Sequence, residues 1–480
     1  MFEKSVRSSP ACTLPAVAVV QFMVSLDLSV VNVGLPTIAA GLDFSALGVT
    51  WVIHAYALSF GGLLLLGGKL GDRFGRARLL LAGLAIFGLA SLLGGLAQQP
   101  GHLIAGRALQ GVGAAAAAPA ALALLTSTFP GGAARVRAFG VWSATNAAGG
   151  AFGVLVGGIL TEYAGWRWVM LVNIPMVAIA FALALTTIGG DRGTSARGRP
   201  DVMGAILATA GMTALVFGVV RTDVHGWLSA PTIGTLTLAV MLLVAFGLVE
   251  KTTTRDPMLR LGLLTRPSVA GANAYNLFVG AAMASAFYFA SLYLQRVFGA
   301  GPARAGIEFL PFALGVIVGS VLAVKAGHRV SARTLMIVGA LVTAGGFAWF
   351  ATIHPDGSFA VNVLGPSIMA SVGFGLCLAP LVSTATAGVD PRDAGTAAGL
   401  LNSSRQIGAS VGLAVLGTVA ATRTGPSQTP EALGHGYALG LGLCAALMLA
   451  AAVVATAVLP RGTRPPEATP HSDQGVGTHA

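Results

Sequence analysis

Charge is what this sequence has least of. Asp, Glu, Lys and Arg make up 9% of its 480 residues, where a soluble domain carries about 25%. Hydrophobic residues make up 55%, and the mean hydropathy is +0.80. So few charges cannot cover the outside of a soluble fold, which excludes that class and leaves an all-α polytopic membrane protein. Acids are scarcer than bases: there are 17, and nearly all fall in loops or tails. The eight histidines are scattered, none within four residues of another. Hydrolases and metalloenzymes need clustered His, Asp or Glu, so we expect no enzyme, no metal and no cofactor. Cys12, Cys377 and Cys444 lie far apart in apolar stretches. That spacing excludes a disulfide framework and leaves them as small packing residues. Basic residues are not interleaved with aromatics, so the net charge of +11 does not point to nucleic acid. Bases gathered in short loops set membrane topology instead.

Long apolar runs are what the chain has in abundance. A bilayer span needs about 20 such residues. Windows of that length predict fourteen spans, at 12–36, 50–69, 79–98, 102–126, 138–160, 168–188, 202–220, 231–249, 268–293, 305–325, 334–353, 360–385, 395–419 and 436–459. Turn formers such as "QQPG" and "HPDG" separate them. With the N-terminus cytoplasmic, the inner segments hold 21 of the 28 bases, the outer ones hold five, and Arg107 and Arg405 fall inside spans. This bias predicts a multi-pass protein of the cell membrane with both termini cytoplasmic. The polar, Pro-rich tail is expected to be disordered. The 66 glycines suit close helix packing in lipid.

The chain also repeats itself. "FGVWSATNAAGGAFGVLVGG" (139–158) aligns with "AGLLNSSRQIGASVGLAVLG" (398–417) at an offset of 259, glycine on glycine at four positions. "DRFGRARLLLAG" (72–83) meets "HRVSARTLMIVG" (328–339) at an offset of 256. Duplicated halves with a site between them are a transporter architecture. We therefore expect a cytoplasmic N-terminus at 1–11, a six-helix bundle at 12–188 and a two-helix insert with its loops at 189–267. A second six-helix bundle follows at 268–459, then the tail at 460–480.

Three segments carry chemistry. "SLDLSVVNVGLP" (25–36) places Asp27 mid-span, where a charge costs roughly 2.5–3.5 kcal/mol on insertion scales. Arg107, in "IAGRALQGVG" of the fourth span, is a plausible counter-ion. A carboxylate beside a guanidinium holds its charge; separated from it in apolar surroundings, it takes a proton. That exchange would couple protons to motion, and the plain alternative is a static pair that fixes helix register. In "GKLGDRFGRARLL" (68–80), Gly68 and Gly75 allow a tight turn, Asp72 can cap a helix or pair across the halves, and Arg73, Arg76 and Arg78 hold the loop at an anionic surface. A merely topogenic loop explains the arginines but not the Asp and Gly spacing. "NAAGGAFGVLVGG" (146–158) puts Gly149, Gly153, Gly157 and Gly158 along one helix, where they permit flexing or close packing.

Together these segments resemble the major facilitator superfamily, in its fourteen-span drug:proton antiporter branch. "LDLSVVNVGLP" is similar to the branch's first-span motif, at Asp27, Asn32 and Pro36. "GKLGDRFGRARLL" resembles the superfamily's loop motif, with Ala77 where a base is usual. "GRALQGVGAA" resembles the fourth-span motif, at Arg107, Gln110, Gly111 and Gly113. "GWRWVMLVNIP" (165–175) looks like the family's entry to the sixth span, and "NSSRQIGASVG" (402–412) looks like its thirteenth. The departures are Val154, where the fifth-span motif has Pro, and His328, where the second copy of the loop has lost its acid. The resemblance implies the major facilitator fold, two six-helix bundles plus two inserted helices. It also implies proton-gradient-driven efflux of a lipophilic small molecule, a drug or antibiotic, by a monomer. Asp27 and Arg107 would carry the coupling; Asn32, Gln110, Glu308 and Arg405 would belong to a substrate or proton site. Some relatives carry further acids for cationic drugs. Here Glu308 matches only approximately and the thirteenth span holds Arg405, so neutral, monocationic or zwitterionic substrates fit better than dications. A metabolite exporter or uptake symporter on the same scaffold is the alternative, and the short loops speak against a non-transporting sensor.

Overall fold

Once an apolar run is long enough to cross a bilayer, its backbone N–H and C=O groups must pair within the run, and the helix is the structure that does this. A computed structural model describes residues 10–460, apart from 46, 130–131, 188–200, 253–260, 328, 354–357, 388, 390–393, 426 and 428. Fourteen of its helices are long and apolar enough to cross a membrane: Thr13–Gly41, Gly48–Gly71, Arg76–Gly95, Pro100–Thr128, Gly140–Tyr163, Arg167–Leu185, Val202–Val220, Ala230–Thr252, Pro267–Val297, Pro302–Ala326, Ala332–Phe350, Ala360–Thr386, Ala397–Thr424 and Pro430–Ala457. We call them the first to fourteenth spans. The described residues contain no strand, and the chain is a multi-pass membrane protein.

The span ends move by a few residues for identifiable reasons. The fourteenth span begins at Pro430, six residues before the predicted start, because Thr429 caps it by accepting from Ala432 N and Pro favours the first helical position. The first span runs on past Pro36 to Gly41. Proline inside a span is tolerated because neighbouring helices satisfy the freed carbonyl. The terminal segments 1–9 and 461–480 and the His328 position lie outside the described residues.

The helix pairings repeat. In the first half, the first span packs on the fifth, fourth and sixth, the second on the fourth, and the third on the fourth and sixth. In the second half, the ninth packs on the thirteenth, twelfth and fourteenth, the tenth on the twelfth, and the eleventh on the twelfth and fourteenth. Adding eight to each number of the first set gives the second. The two halves meet where the second span lies on the thirteenth and the fifth on the tenth, and these two contacts also exchange under the same relation. The seventh and eighth spans pack on each other, and the seventh leans on the second and thirteenth. Side chains on the eighth span, among them Val240, Met241, Val244 and Leu248, point outward, as a lipid-facing helix requires.

Glycine explains the closeness of these contacts. A Cβ at Gly149 would lie 2.5 Å from the Phe22 carbonyl oxygen, and one at Gly153 would lie 2.6 Å from that of Leu26. In the second half Gly408 meets Leu277 and Gly412 meets Ala281. The aligned glycines of the two sequence copies thus do the same work, seating the fifth span on the first and the thirteenth on the ninth.

Candidate functional site: a buried carboxylate between four helices

Asp27 is wholly buried, midway along the first span. Its Oδ2 accepts from Arg107 Nη1 at 2.7 Å, an ion pair between two groups with almost no exposure. Its Oδ1 accepts from Asn173 Nδ2 of the sixth span at 2.7 Å and more distantly from Gln110 Nε2 at 3.4 Å. Arg107 and Gln110 stand one turn apart on the fourth span, so both reach the same point. Their placement is fixed from outside. Arg107 Nη1 also donates to Gln110 Oε1 at 2.9 Å, and its Nε donates to the Val52 carbonyl at 2.9 Å. The guanidinium lies 4.4 Å from the centre of the Tyr56 ring. Gln110 Nε2 donates to Ser91 Oγ of the third span at 2.7 Å, and Ser91 in turn bonds the Phe87 carbonyl.

This is a charge-compensated site rather than a lone buried acid. Two charges removed from water are costly unless close and fully hydrogen-bonded, and here the second, third, fourth and sixth spans all supply partners. The network is incomplete at its edge. Among the described residues, the Tyr56 hydroxyl, Asn173 Oδ1 and both ring nitrogens of buried His54 have no partner.

The other residues singled out in the sequence are dispersed. Gly75 links the second and third spans with a φ of 99°, a left-handed conformation that glycine adopts without strain. Arg76 Nη1 donates to the Ala123 carbonyl at 3.3 Å, tying this loop to the end of the fourth span, and Arg73 lies over the Phe74 ring. Gly68 faces Pro119. The side chain of Asp72 lies outside the described residues. Gly149, Gly153 and Gly157 all face the first span, whereas Gly158 faces Pro302 and Ala303 at the start of the tenth. The fifth-span ladder is therefore a packing surface on two sides. Val154 is buried on this helix, and its carbonyl lies beside Gly306 of the tenth span.

Asn32, Glu308 and Arg405 do not join the Asp27 network. Asn32 Nδ2 bonds the Leu28 carbonyl within its own helix, while its backbone carbonyl accepts from Ser291 Oγ of the ninth span. Glu308 Oε1 accepts from Arg304 Nε at 2.8 Å, one turn earlier on the tenth span, and its Oε2 has no partner among the described residues. Arg405 is part-buried in the thirteenth span.

Sequence reasoning missed Asn173, Ser91, Tyr56 and Glu162. Asn173 lay in the quoted "VNIP" segment; a lone amide in an apolar span was the available signal. Ser91 and Tyr56 had none, since Ser and Tyr are ordinary in spans. Glu162 ends the fifth span, where its Oε2 accepts from the Ala303 backbone N–H at 2.7 Å. Ala303 opens the tenth span, so this bond joins the two bundles.

Two helical bundles related by an internal repeat are the architecture of a membrane transporter. The sequence pattern of the Major Facilitator Superfamily matches residues 17–413, and the chain belongs to that superfamily of transporters. It is 41% identical over 458 residues to the cephamycin export protein CmcT of Amycolatopsis lactamdurans, covering 95% of this chain and 94% of that one. It is 38% identical over 468 residues to the puromycin resistance protein pur8 of Streptomyces alboniger, covering 95% and 92%. Among solved structures, the POT family transporter PepTSo superposes with a TM-score of 0.66 at 16% identity, over 93% of this chain and 96% of that one. A bacterial homologue of the lysosomal transporter Spinster, inward-facing and unoccupied, gives 0.65 at 18%, over 93% and 97%. At such identities the likeness is one of fold.

Proposed function

We propose that this chain exports a lipophilic small molecule, an antibiotic or related toxic compound, across the cell membrane in exchange for protons, and so confers resistance. The Asp27 network carries the reading. Relatives named for cephamycin export, puromycin resistance, tetracenomycin C resistance and export, and lincomycin resistance support the direction and the kind of cargo. They align over 89–95% of this chain and 79–94% of their own lengths.

Asp27 is the proton site. With Arg107 and Asn173 in place its charge is balanced. When rearrangement of the fourth or sixth span draws those donors away, an uncompensated carboxylate in apolar surroundings takes a proton. Arg107 meanwhile keeps Gln110, the Val52 carbonyl and the Tyr56 ring as partners, so it can leave Asp27 without being stranded. The driving force suffices. One charge moving through about 150 mV is worth roughly 3.5 kcal/mol, enough to hold a gradient of a few hundredfold at 1.4 kcal/mol per decade.

The base distribution supports an orientation with both termini in the cytoplasm. The end where the first span finishes is then extracellular. There Ser291 Oγ and Gln295 Nε2 of the ninth span donate to the Asn32 and Val33 carbonyls at 3.0 and 2.9 Å, and Glu162 holds the start of the tenth span. These bonds bridge the bundles and must part for release outward. The protein acts as a monomer, since each chain contains both bundles. Efflux of compounds from a susceptible host, with and without an uncoupler, tests the reading. Export that collapses with the uncoupler supports it; export that persists without a proton gradient overturns the coupling.

A further inference from the structure

Arg405 has no hydrogen-bond or ion-pair partner among the described residues. Asp27 and Glu308 are already engaged, by Arg107 and Arg304. A cation within a span is expensive, and it faces either a partner or a water-filled cavity. Its neighbour Gln406 is buried, and Gln406 Nε2 likewise lacks an acceptor. Buried polar atoms are normally satisfied, so two adjacent donor groups without acceptors call for an explanation.

The thirteenth span's own contacts show where Arg405 points. Successive residues turn by about 100° around a helix. Gly408 and Gly412 face the ninth span. Ser403 donates to the Gly61 carbonyl of the second span at 2.8 Å, and Gln406 packs on the same glycine. Val411 and Ala414 pack with the seventh. The backbone of Arg405 carries Gly280 of the ninth span, so Arg405 and Asn402 lie at the edge of the ninth-span face, on the side toward the second span. Both are part-exposed, while Ser403, Ser404 and Gln406 around them are buried. The ninth and second spans belong to opposite bundles, so this edge runs along the seam between them. The repeat sharpens the contrast. At the offset of 259 the counterpart of Arg405 is Asn146, whose Oδ1 accepts from Gln21 Nε2 at 2.6 Å and Ser25 Oγ at 2.5 Å. One half closes this position with hydrogen bonds; the other leaves a free guanidinium.

We infer that Arg405 is a recognition point for an anionic group on the transported molecule, and that the cargo includes lipophilic compounds bearing a carboxylate. A guanidinium fork matches the two oxygens of a carboxylate, and a bound anion balances a charge that the protein leaves uncompensated. Gln406 can donate beside it. The proton site at Asp27 is a separate locus with its own cation, so substrate anion and proton do not compete for one group. Zwitterions keep their place among the substrates, and simple acids join them.

The inference rests on the export reading, and one experiment separates the two. Cells expressing the full chain are loaded with nalidixate, fusidate and anthracene-9-carboxylate, and with the methyl ester of each. Retained compound is measured by mass spectrometry with and without an uncoupler. The wild type should export acids, and Arg405→Gln should lower the acid-to-ester export ratio at least tenfold. Arg405→Lys, which keeps the charge but loses the fork, should fall between. An unchanged ratio in Arg405→Gln overturns the inference, as does export of esters but no acid by the wild type. Acids and esters lost in equal measure would make Arg405 a structural residue and also overturn it. No uncoupler-sensitive export of any compound by the wild type would instead overturn the export reading.

Discussion

Asp27 is held by donors from the fourth and sixth spans and steadied through them by the second and third, and this crowding sets what its substitutions should do. Asp27→Asn keeps the shape and removes the carboxylate. Export should fall at least tenfold while the thermal midpoint of the purified protein moves by only a few degrees; wild-type export in this variant would remove Asp27 from the coupling. Arg107→Gln strands a carboxylate, at a cost of about 3–5 kcal/mol when one partner of a buried pair is lost. The double variant Asp27→Asn/Arg107→Gln should therefore be more stable than Arg107→Gln alone, as thermal unfolding in detergent would reveal. The pair was legible in the sequence because charges in spans are so few that each stands out. The amide of Asn173, 2.7 Å from the carboxylate, was not, because an uncharged polar residue in a span is common and its partner lies 146 positions away.

At the scale of the helix, two contacts govern motion. Gly153 seats the fifth span on the first, with the Leu26 carbonyl only 2.6 Å from where a Cβ would sit, whereas Gly150 on the same helix has open space. Gly153→Ala should lower both thermal stability and export, and Gly150→Ala should change neither; equal effects would show that the fifth span's glycines do not act through close packing. The second contact is the bond from Ala303 N to Glu162. Losing a hydrogen bond worth about 1 kcal/mol shifts a two-state balance roughly fivefold. Glu162→Ala should accordingly populate the state open at that end, read as a longer spin-label distance between the ends of the fifth and tenth spans. An unchanged distance distribution would mean that the bond does not latch the bundles. The glycine ladder could be read from sequence, but its two destinations could not, since spacing along one helix does not say which neighbours it meets.

The whole molecule was the most legible level. Span number follows from hydropathy because the bilayer leaves the backbone little choice, and the repeat of glycines at one offset showed that the halves are duplicated, though not which helices the repeated glycines meet. The placement of the seventh and eighth spans against the second and thirteenth could not be foretold, because their lipid-facing composition carries no address. Reporter fusions at each loop should show both termini cytoplasmic, with fourteen crossings; a terminus outside would break the base asymmetry on which the orientation rests. The central claim is exchange of cargo for protons at Asp27. Its most direct test is the lumenal pH of liposomes containing the purified protein, recorded with an entrapped dye as an exported compound is added outside. The account predicts alkalinisation as protons leave in exchange for entering compound, absent with Asp27→Asn. Acidification, or compound entry with no pH change in the wild type, would contradict it.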